Sequence, residues 1–587
     1  MATVITSTGQ HEPVISAHDP EKHVNANERS ASRDEEESDG SSFKQEGVRR
    51  VEEVTQVWSK SMLIVTFVLL YLLSFVDSLL GGVQGNLVPY VTSSFSQHGL
   101  LATTSIVASV LGGVSKLAIA KVIDIWGRIE GLCAMILLIV LGMVMKAACI
   151  NVEMYAAAHT LYWVGHLGLL YIIDVVVADM TTLKNRMIIF GLNSTPGIAA
   201  TFAGPRIAQL FLDEVNFRWA FGAFSIILVV FAVPVGIIFL LSHRKAVKMG
   251  VAQRQPSGRT AWASCKHYFV EFDVVGMFLT TAGWSLLLLP FNLASTAPNG
   301  WASGYIIAMI VLGVVCLVAF GLWEKFFAKV PYFPFKLLTD RTVLGASVLY
   351  GIMFTSIFCW DSYYGSYLQV VHYESVTISG YVLNSFSLMS SFIAPFVGLW
   401  IRYVGEYKYT SFAGVPLVAL GTALLIHFRR PHSHIGYLVM CQLFNGAGTG
   451  IWAATAQIGV MASVSHQETA VALALWSMFG SIGSAIGFAI AGAIWTNVLP
   501  EKLLQNLPAD SKGLAGTIYG DIVTQMSYPA GSPIREAIIA AYSDVQRKMV
   551  IAGAAFLPIM LIALLMFRNI NLKQKEKERG QVKGNIF

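Results

Sequence analysis

Charged residues are scarce in this sequence of 587 residues. Asp, Glu, Lys and Arg together make up 13% of the chain, whereas apolar residues make up 55%. A soluble domain carries about 25% charged residues, so the composition excludes an ordinary soluble protein. The formal net charge of +5 is small and gives no indication of nucleic-acid binding. The composition therefore indicates a chain that lies mostly in lipid.

Sequence motifs for several kinds of chemistry are missing as well. The dipeptide Gly-Lys never occurs, which excludes the phosphate-binding loop Gly-x4-Gly-Lys-Ser/Thr. No Gly-x-Ser-x-Gly elbow and no paired-histidine metal motif stands out. The six cysteines show no paired spacing that would indicate a disulfide framework or a zinc site. We therefore expect no enzymatic activity, no cofactor and no resident metal ion.

The first 57 residues differ from the rest of the chain. Residues 1–57 are polar, contain the acidic run 34–37 and lack an apolar core before Met62, so they show no secretory signal. We interpret them as a disordered cytoplasmic tail. A regulatory role for this tail and the absence of any role are equally open.

Long apolar segments dominate the remaining sequence. A helix needs about 20 apolar residues to cross a bilayer, and we count fourteen such segments. The even number places both chain ends on the same side of the membrane. The predicted spans are 61–81, 100–122, 131–150, 155–178, 187–211, 218–241, 272–292, 303–323, 341–363, 377–400, 408–427, 435–461, 470–495 and 548–567.

The distribution of basic residues predicts which side that is. Cytoplasmic loops of membrane proteins carry an excess of Lys and Arg. The predicted loop 242–271 alone carries six of them, whereas the short loops on the other side hold only Arg218, Arg429 and Arg430. Both termini are therefore expected in the cytoplasm, and the long segment 496–547 outside.

A weak internal repeat divides the spans into two halves. Ala120-x3-Asp124-x2-Gly127 follows the second span, and Gly398-x3-Arg402-x2-Gly405 follows the tenth. Two similar six-span halves are typical of transporters, and without ATP-binding motifs such transport is expected to use a gradient. The sequence therefore predicts an all-α membrane protein built from two six-span halves and two additional helices. Its expected parts are a tail 1–57, an N-terminal half 58–243, a cytoplasmic loop 244–271, the two additional helices 272–325, a C-terminal half 326–568 with the external loop 496–547, and a cytoplasmic tail 569–587.

The loop KVIDIWGR, residues 121–128, resembles the signature loop of the major facilitator superfamily. The resemblance implies a cytoplasmic latch between the halves, in which Asp124 and Arg128 take part. Ala120 and Ile125 depart from the usual glycine and basic residue, which puts the strength of this latch in doubt. An ordinary ion pair four residues apart at a helix end is the alternative. Further basic candidates for the latch are Lys184, Arg186 and Arg402.

Six longer motifs resemble the fungal siderophore–iron transporters, a fourteen-span branch of that superfamily. They are YVTSSF (90–95), VADMTTLKNR (177–186), TFAGPRIAQ (201–209), RWAFGAF (218–224), PFKLLTDRTVLGA (334–346) and GSPIREAIIAAYSDVQRKM (531–549). The resemblance implies uptake of a ferric hydroxamate siderophore driven by protons. We expect a monomer in the plasma membrane, with an endosomal or vacuolar membrane as the alternative.

Two other functions remain open on the same scaffold. A fourteen-span drug or toxin exporter would commonly carry Gly-Pro-x2-Gly-Gly in its fifth span, but Gly204-Pro205 is not followed by the glycine pair. A non-transporting nutrient receptor would need a substantial signalling tail. The tail after Arg568 is short and rich in lysine, whereas the N-terminal tail leaves the receptor hypothesis open.

Aromatic and amide residues are the candidates for substrate binding. A siderophore encloses its iron in hydroxamate oxygens, so the protein needs aromatic surfaces and a few polar groups rather than metal ligands. For the aromatic residues of the ninth span, an interfacial belt is the alternative, and for the other candidates it is a packing or helix-joining role. The candidates are Tyr71, Gln84, Trp360, Asp361, Tyr363, Tyr364, Tyr367, Asn384, Trp452, Gln457 and Trp476.

Ionisable residues within the spans are the candidates for proton coupling, because charged groups in lipid are expensive and usually functional. His159 and His166 lie seven residues apart and share a helix face. We expect a proton path through His166, with Asp77 or Asp174 as the carboxylate. The alternative is that His166 joins two helices. For His159 we favour a structural hydrogen bond at the interface, and for Asp174 a structural pair with Lys184 or Arg186 at the inner edge.

The external loop 496–547 is unusually long for a compact fold. It contains Tyr519 and Tyr528 and continues into a helical pattern that starts near Arg535. We interpret these three residues as part of a cap over the entrance. A passive surface excursion is the alternative.

Overall fold

A computed structural model describes residues 59–180, 192–193, 195–249, 260–464 and 468–572. Every regular element in these ranges is helical, apart from one isolated bridge between Glu406 and Asn571. The predictions for the tail 1–57, for Lys184 and Arg186, and for the end of the chain after 572 fall outside the described residues, as do the side chains of Asp124 and Arg402.

The main helices follow the predicted spans. They are α1 Lys60–Ser94, α2 Leu101–Ile125, α3 Arg128–Ala147, α4 Val152–Met180, α5 Pro196–Leu210, α6 Phe217–Lys248, α7 Ala261–Glu271, α8 Val274–Leu288, α9 Gly304–Phe326, α10 Arg341–Asp361, α11 Tyr364–His372, α12 Val376–Val404, α13 Gly414–Phe428, α14 Ile435–Ser463, α15 Thr469–Asn506, α16 Pro533–Ala554 and α17 Leu557–Leu565. Shorter helices are Pro290–Leu293, Lys408–Phe412, Ala515–Gly520 and Ile522–Ser527.

Local sequence explains where these helices begin and end. Asp340 accepts hydrogen bonds from the backbone N–H groups of Thr342 (2.7 Å) and Val343 (3.2 Å), which satisfies donors at the start of α10. Arg568 also contacts Asp340, at 3.2 Å, and so joins the start of α10 to the chain beyond α17. At the end of α12, Gly405 adopts a left-handed φ of 87°, which a glycine tolerates without strain.

Twelve helical segments in the described ranges are long and apolar enough to cross a membrane. The other two predicted spans, 187–211 and 435–461, also contain helices. In the first, only the 15 residues of α5 form the described helix, and the second, α14, contains polar residues such as Gln442 and Asn445 among several glycines. The predicted count of fourteen is therefore not confirmed.

Two large apolar cores lie mainly in one half each, although α2 adds Ile106 and Val110 to the core of the C-terminal half. Leu73, Ile139 and Leu169 belong to the core of the N-terminal half, and Leu349 and Trp452 to that of the C-terminal half. The additional helices α8 and α9 pack on each other where Gly283 and Gly313 let the backbones approach closely. Most of the α9 surface remains exposed, as expected for a helix that faces lipid.

A third apolar cluster lies at the end of the bundle that carries residues 507–532, hereafter the long-loop end. Helix α15 continues to Asn506 and α16 begins at Pro533, so the connecting segment is shorter than the predicted loop 496–547. Within the cluster, Tyr363 stacks on Trp495 with ring centroids 4.0 Å apart, and Tyr542 packs edge-on against Trp495 at 5.0 Å. The connecting segment is therefore packed onto the bundle.

The two halves contact each other at several depths. Near the long-loop end, the hydroxyl of Thr377 on α12 donates to the Gln209 side-chain oxygen on α5, at 2.5 Å. Between α2 and α15, Lys116 Nζ donates to the hydroxyl of Ser477, also at 2.5 Å. These hydrogen bonds show that α5 faces α12 and that α2 faces α15 across the two halves.

Candidate functional site

A buried ion pair lies in the middle of the N-terminal half. His166 Nδ1 is 2.8 Å from an oxygen of Asp77, and the side chain of Asp77 is 0% exposed whereas that of His166 is 13% exposed. Asp77 is the eighteenth of 35 residues in α1 and His166 the fifteenth of 29 in α4, so both are at helix midpoints. The pair joins the two predicted proton-coupling residues that lie deepest in the half.

A second polar cluster lies closer to the long-loop end and includes a residue that the sequence analysis missed. Lys146, in the last turn of α3, is fully buried. Its Nζ donates to the side-chain oxygen of Gln84 at 2.5 Å and lies 3.0 Å from His159 Nδ1. A lysine within an apolar span was the available signal. Gln84, predicted to bind substrate, is buried here and bonded to Lys146.

Tyr162 lies between these two clusters. Its ring stacks on His159 with centroids 6.2 Å apart and on His166 with centroids 5.6 Å apart. Both histidines therefore lie on the Tyr162 side of α4, as their seven-residue spacing predicts. Lys146 Nζ also lies over the Tyr162 ring, 4.1 Å from its centroid. The side chains of α1, α3 and α4 thus form one continuous array of ionisable and aromatic groups.

Asp174 and Tyr71 lie apart from that array. The side chain of Asp174 is exposed, and its predicted partners Lys184 and Arg186 lie outside the described residues. The Tyr71 hydroxyl hydrogen-bonds to the hydroxyl of Thr195, at 2.8 Å. Of the two carboxylates predicted to work with His166, Asp77 is the one that forms an ion pair with it.

The predicted aromatic residues of the ninth span surround a buried arginine. Arg429 donates from one Nη to the backbone oxygen of Trp360 at 2.7 Å and to the side-chain oxygen of Gln546 at 2.8 Å. Its guanidinium lies 3.8 Å from the centroid of the Tyr364 ring. Trp360, Tyr364 and the likewise predicted Tyr363 and Tyr367 are at most 2% exposed, so this conformation does not expose them to a ligand.

The remaining substrate candidates fall into two groups. Asp361 and Asn384 are half-buried and Gln457 is exposed, so the protein encloses these side chains less than it encloses the buried rings. Asn384 also donates to the backbone oxygen of Thr201 in the other half, at 3.0 Å. Two predicted tryptophans are packed, since Trp452 Nε1 donates to the oxygen of Ser411 at 2.9 Å and Trp476 stacks on Tyr350 at 3.9 Å.

The predicted latch is described only in part. Arg128 is buried at the start of α3 and donates to the backbone oxygen of Ile123 at 2.8 Å, which ties the ends of α2 and α3 together. Gly127 makes the turn between these helices with a φ of 128°. Because the other latch side chains are not described, the latch stays a prediction.

The predicted cap residues lie in the long-loop end, where Arg535 joins neighbouring segments through hydrogen bonds. Arg535 is buried, donates to the oxygen of Val370 at 2.7 Å and also contacts the oxygen of Gln525. Across the halves, the backbone N–H of Ile522 donates to the Ser93 hydroxyl at 3.1 Å. Tyr519 and Tyr528 are half-buried, and burial raises the pKa of Tyr519 above its usual value. The segment 507–532 therefore contacts both halves.

The described part of the molecule also has two apolar grooves. One, of about 430 Å³, lies between α1, α5 and α6, and the other, of about 370 Å³, lies between α5, α12 and α14. Neither groove is lined by a predicted substrate or proton-coupling residue. Within the described ranges, no group of three or more His, Cys, Asp and Glu side chains is arranged to hold a metal ion.

Comparison with known proteins identifies the family. The family model "Major Facilitator Superfamily" matches residues 70–370 and 343–499. The protein is a major facilitator transporter. Its chain is 51% identical over 570 residues to "MFS siderochrome iron transporter 1" of Ajellomyces capsulatus, covering 97% of this chain and 98% of the relative. It is also 43% identical over 539 residues to "Siderophore iron transporter mirB" of Emericella nidulans, covering 92% and 89%.

These similarities confirm the family resemblance found in the sequence, and the transporter belongs to the siderophore–iron transporter family. Its fold is shared with solved structures at much lower identity. A peptide transporter POT in complex with sulfate is 15% identical, with a TM-score of 0.54, over 86% of this chain and 95% of the other. A bacterial homolog to the human lysosomal transporter Spinster is 13% identical, with a TM-score of 0.53, over 87% and 98%.

Proposed function

We propose that this transporter imports ferric hydroxamate siderophores together with protons, by alternating access between its two halves, in the plasma membrane. The names of its relatives support siderophore-bound iron as the substrate. The Asp77–His166 pair carries the proposal of proton coupling. An ionisable pair at the midpoints of two spans is expensive in lipid and is expected where a transporter binds protons.

The proposed topology has fourteen spans and two cytoplasmic termini. In it, α5 and α14 are two further spans in addition to the twelve apolar segments. The N-terminal half comprises residues 58–243, the C-terminal half residues 326–568, and the additional helices residues 272–325. We propose that the transporter works as a monomer, because each monomer has both halves that alternating access requires.

The chemistry of uptake divides between the halves in this proposal. The siderophore encloses its iron, so the protein supplies hydrogen bonds and apolar contact rather than metal ligands. Asp361, Asn384 and Gln457 are the accessible polar groups of the C-terminal half. In this proposal His166 receives a proton at Nδ1 or shares one with Asp77. Binding of the siderophore and protonation of this pair are then coupled.

The proposal is tested by uptake of radiolabelled iron in cells that lack their own siderophore carriers. The cells would express the full chain and receive a panel of ferric hydroxamates, with free ferric citrate as the control. We expect accumulation of at least one hydroxamate complex, and loss of that accumulation when the proton gradient is collapsed. Efflux of the preloaded complex, or surface binding without uptake, would contradict import.

A further inference from the structure

The buried Lys146 has an environment that the proposed coupling through His166 does not explain. Its ammonium group, when protonated, has three N–H donors. The Gln84 oxygen at 2.5 Å, His159 Nδ1 at 3.0 Å and the face of the Tyr162 ring at 4.1 Å supply three acceptors. Each donor of a protonated Lys146 thus has an electron-rich partner, so the geometry fits the charged form.

No carboxylate balances this charge among the residues that the structure describes, because Lys146 takes part in none of their ion pairs. From α6, Phe221 offers the face of its ring at 5.7 Å, and from α4 Tyr155 does so at 5.5 Å. Arg218, also on α6, donates to the oxygens of Ala147 at 3.0 Å and Cys149 at 2.6 Å, and so occupies carbonyls at the end of α3. The other polar neighbours are Gln84 on α1, His159 on α4 and the thiol of Cys149, just beyond α3.

The hydrogen bond to His159 restricts where protons can lie. A nitrogen that accepts a hydrogen bond from Lys146 must present a lone pair, so His159 Nδ1 is unprotonated while Lys146 is an ammonium ion. Transfer of the proton breaks one N–H bond at Lys146 Nζ and forms one at His159 Nδ1. The lysine then becomes neutral and the imidazole becomes positive, while the charge of the pair is unchanged.

We propose that Lys146 and His159 hold one proton between them and form a second proton-binding site in the N-terminal half. This inference rests on the proposed function, because it adds a site to the proton coupling of the Asp77–His166 pair. Tyr162, which is fully buried, packs between the two sites. A charge at one site is therefore felt at the other through a medium that screens it poorly.

The size of this influence can be estimated. Lys146 Nζ lies 4.1 Å from the centroid of Tyr162, and that centroid lies 5.6 Å from the centroid of His166. The ammonium group is therefore within about 10 Å of the His166 ring, where a unit charge shifts a protonation equilibrium by about one pH unit at an effective dielectric constant of ~20. The positive charge of Lys146 opposes protonation of the Asp77–His166 pair.

The first test measures siderophore uptake against external pH, at fixed membrane potential, for the wild type and Lys146→Met. Methionine keeps the length of the side chain but removes the charge, so the midpoint of the pH profile should move upward by about one unit. Tyr155→Phe is the matched control, since it keeps the ring beside His159 and both ionisable groups, and its midpoint should equal that of the wild type. An equal loss of uptake at every pH, with no shift of the midpoint, would show a purely structural lysine.

The second test does not depend on transport. Nitrogen-15 spectra of histidine-labelled full-length protein in lipid nanodiscs would report the tautomer of His159, assigned by its absence in His159→Gln. The wild type should show His159 with its proton on Nε2 and a hydrogen-bonded lone pair on Nδ1. Because this measurement needs only the wild type and His159→Gln, it tests the inference even if Lys146→Met does not fold. A His159 with its proton on Nδ1 would overturn the inference. Absence of gradient-driven uptake in the wild type would instead contradict the proposed function.

Discussion

Asp77 and His166 meet at 2.8 Å at the midpoints of α1 and α4, and only the histidine is partly accessible. In the proposed coupling, the difference in exposure means that a proton from solvent would reach His166 before the buried carboxylate of Asp77. If either Asp77 or His166 were replaced by a residue that stays neutral, the other side chain would lack an oppositely charged partner. In an apolar environment its charged form would then have a much higher free energy.

Conservative substitution of this pair is expected to abolish coupling. Asp77→Asn and His166→Gln keep the size and the hydrogen-bonding capacity of each side chain but remove its ability to bind a proton at neutral pH. Each variant should reach the cell surface, bind ferric siderophore and fail to accumulate it in response to an imposed pH gradient. Comparison of bound and accumulated label, normalised to surface protein, measures the effect. Normal accumulation by both variants would remove the pair from the mechanism.

Two neighbouring residues of the C-terminal half should respond differently to substitution. Tyr364 is fully buried against Arg429, so Tyr364→Ala leaves a cavity and should lower the free energy of unfolding by about 3–5 kcal/mol and reduce surface abundance. Asp361 is half-buried, so Asp361→Asn should leave abundance unchanged while it alters the apparent affinity for siderophore. Quantitative surface labelling combined with uptake kinetics separates the two effects. Normal abundance and weakened affinity in Tyr364→Ala would instead indicate direct contact with substrate.

Arg535 should stabilise the long-loop end. Its guanidinium binds the backbone oxygens of Val370 and Gln525, and Arg535→Met would leave both acceptors without this buried donor. We expect a loss of about 3 kcal/mol in the free energy of unfolding, measured by thermal unfolding of the purified protein. Arg547→Met on the same helix is the matched control, because Arg547 is exposed and its replacement should change stability by less than about 0.5 kcal/mol. Equal melting curves for the two variants would contradict the structural role of Arg535.

The predicted sidedness is open to a direct test. A short epitope inserted in the basic loop 242–271 should be inaccessible to antibody on intact cells, because Lys and Arg accumulate on the cytoplasmic side. An epitope beside Asp510, in the segment between α15 and α16, should be accessible. Permeabilised cells supply the control for both insertions. The reverse labelling pattern would invert the topology.

Much of the fold followed from the sequence, because long apolar segments have few alternatives to a membrane-spanning helix. The segments 187–211 and 435–461 show where this reasoning stops. The glycines and amides of the second allow close packing inside the bundle, so its composition reflects protein contacts more than contact with lipid. The helical start of the predicted loop 496–547 was likewise unrecognised, since α15 continues to Asn506 beyond the apolar segment, whereas the helical pattern expected from Arg535 is confirmed as part of α16.

The candidate site was predictable only in part. The pairing of His166 with Asp77 was one of two expected pairings, and helical geometry placed His159 and His166 on one face. Lys146 was missed because a single lysine near the end of a span also fits an interfacial position. Trp360, Tyr364 and their neighbours were expected to meet substrate, but Arg429 attracts their rings into the core through cation–π contacts. Spacing along the sequence gives no information on such a distant partner.

Helices α8 and α9 have a consequence for how the two halves are joined. The backbones of this hairpin approach closely at Gly283 and Gly313, and its outer surface is largely exposed. The covalent link between the halves therefore passes through a compact element with the composition of a membrane span rather than through a free loop alone. If the halves move relative to each other as proposed, this element has to displace lipid molecules, so the viscosity of the bilayer would act on the linker itself.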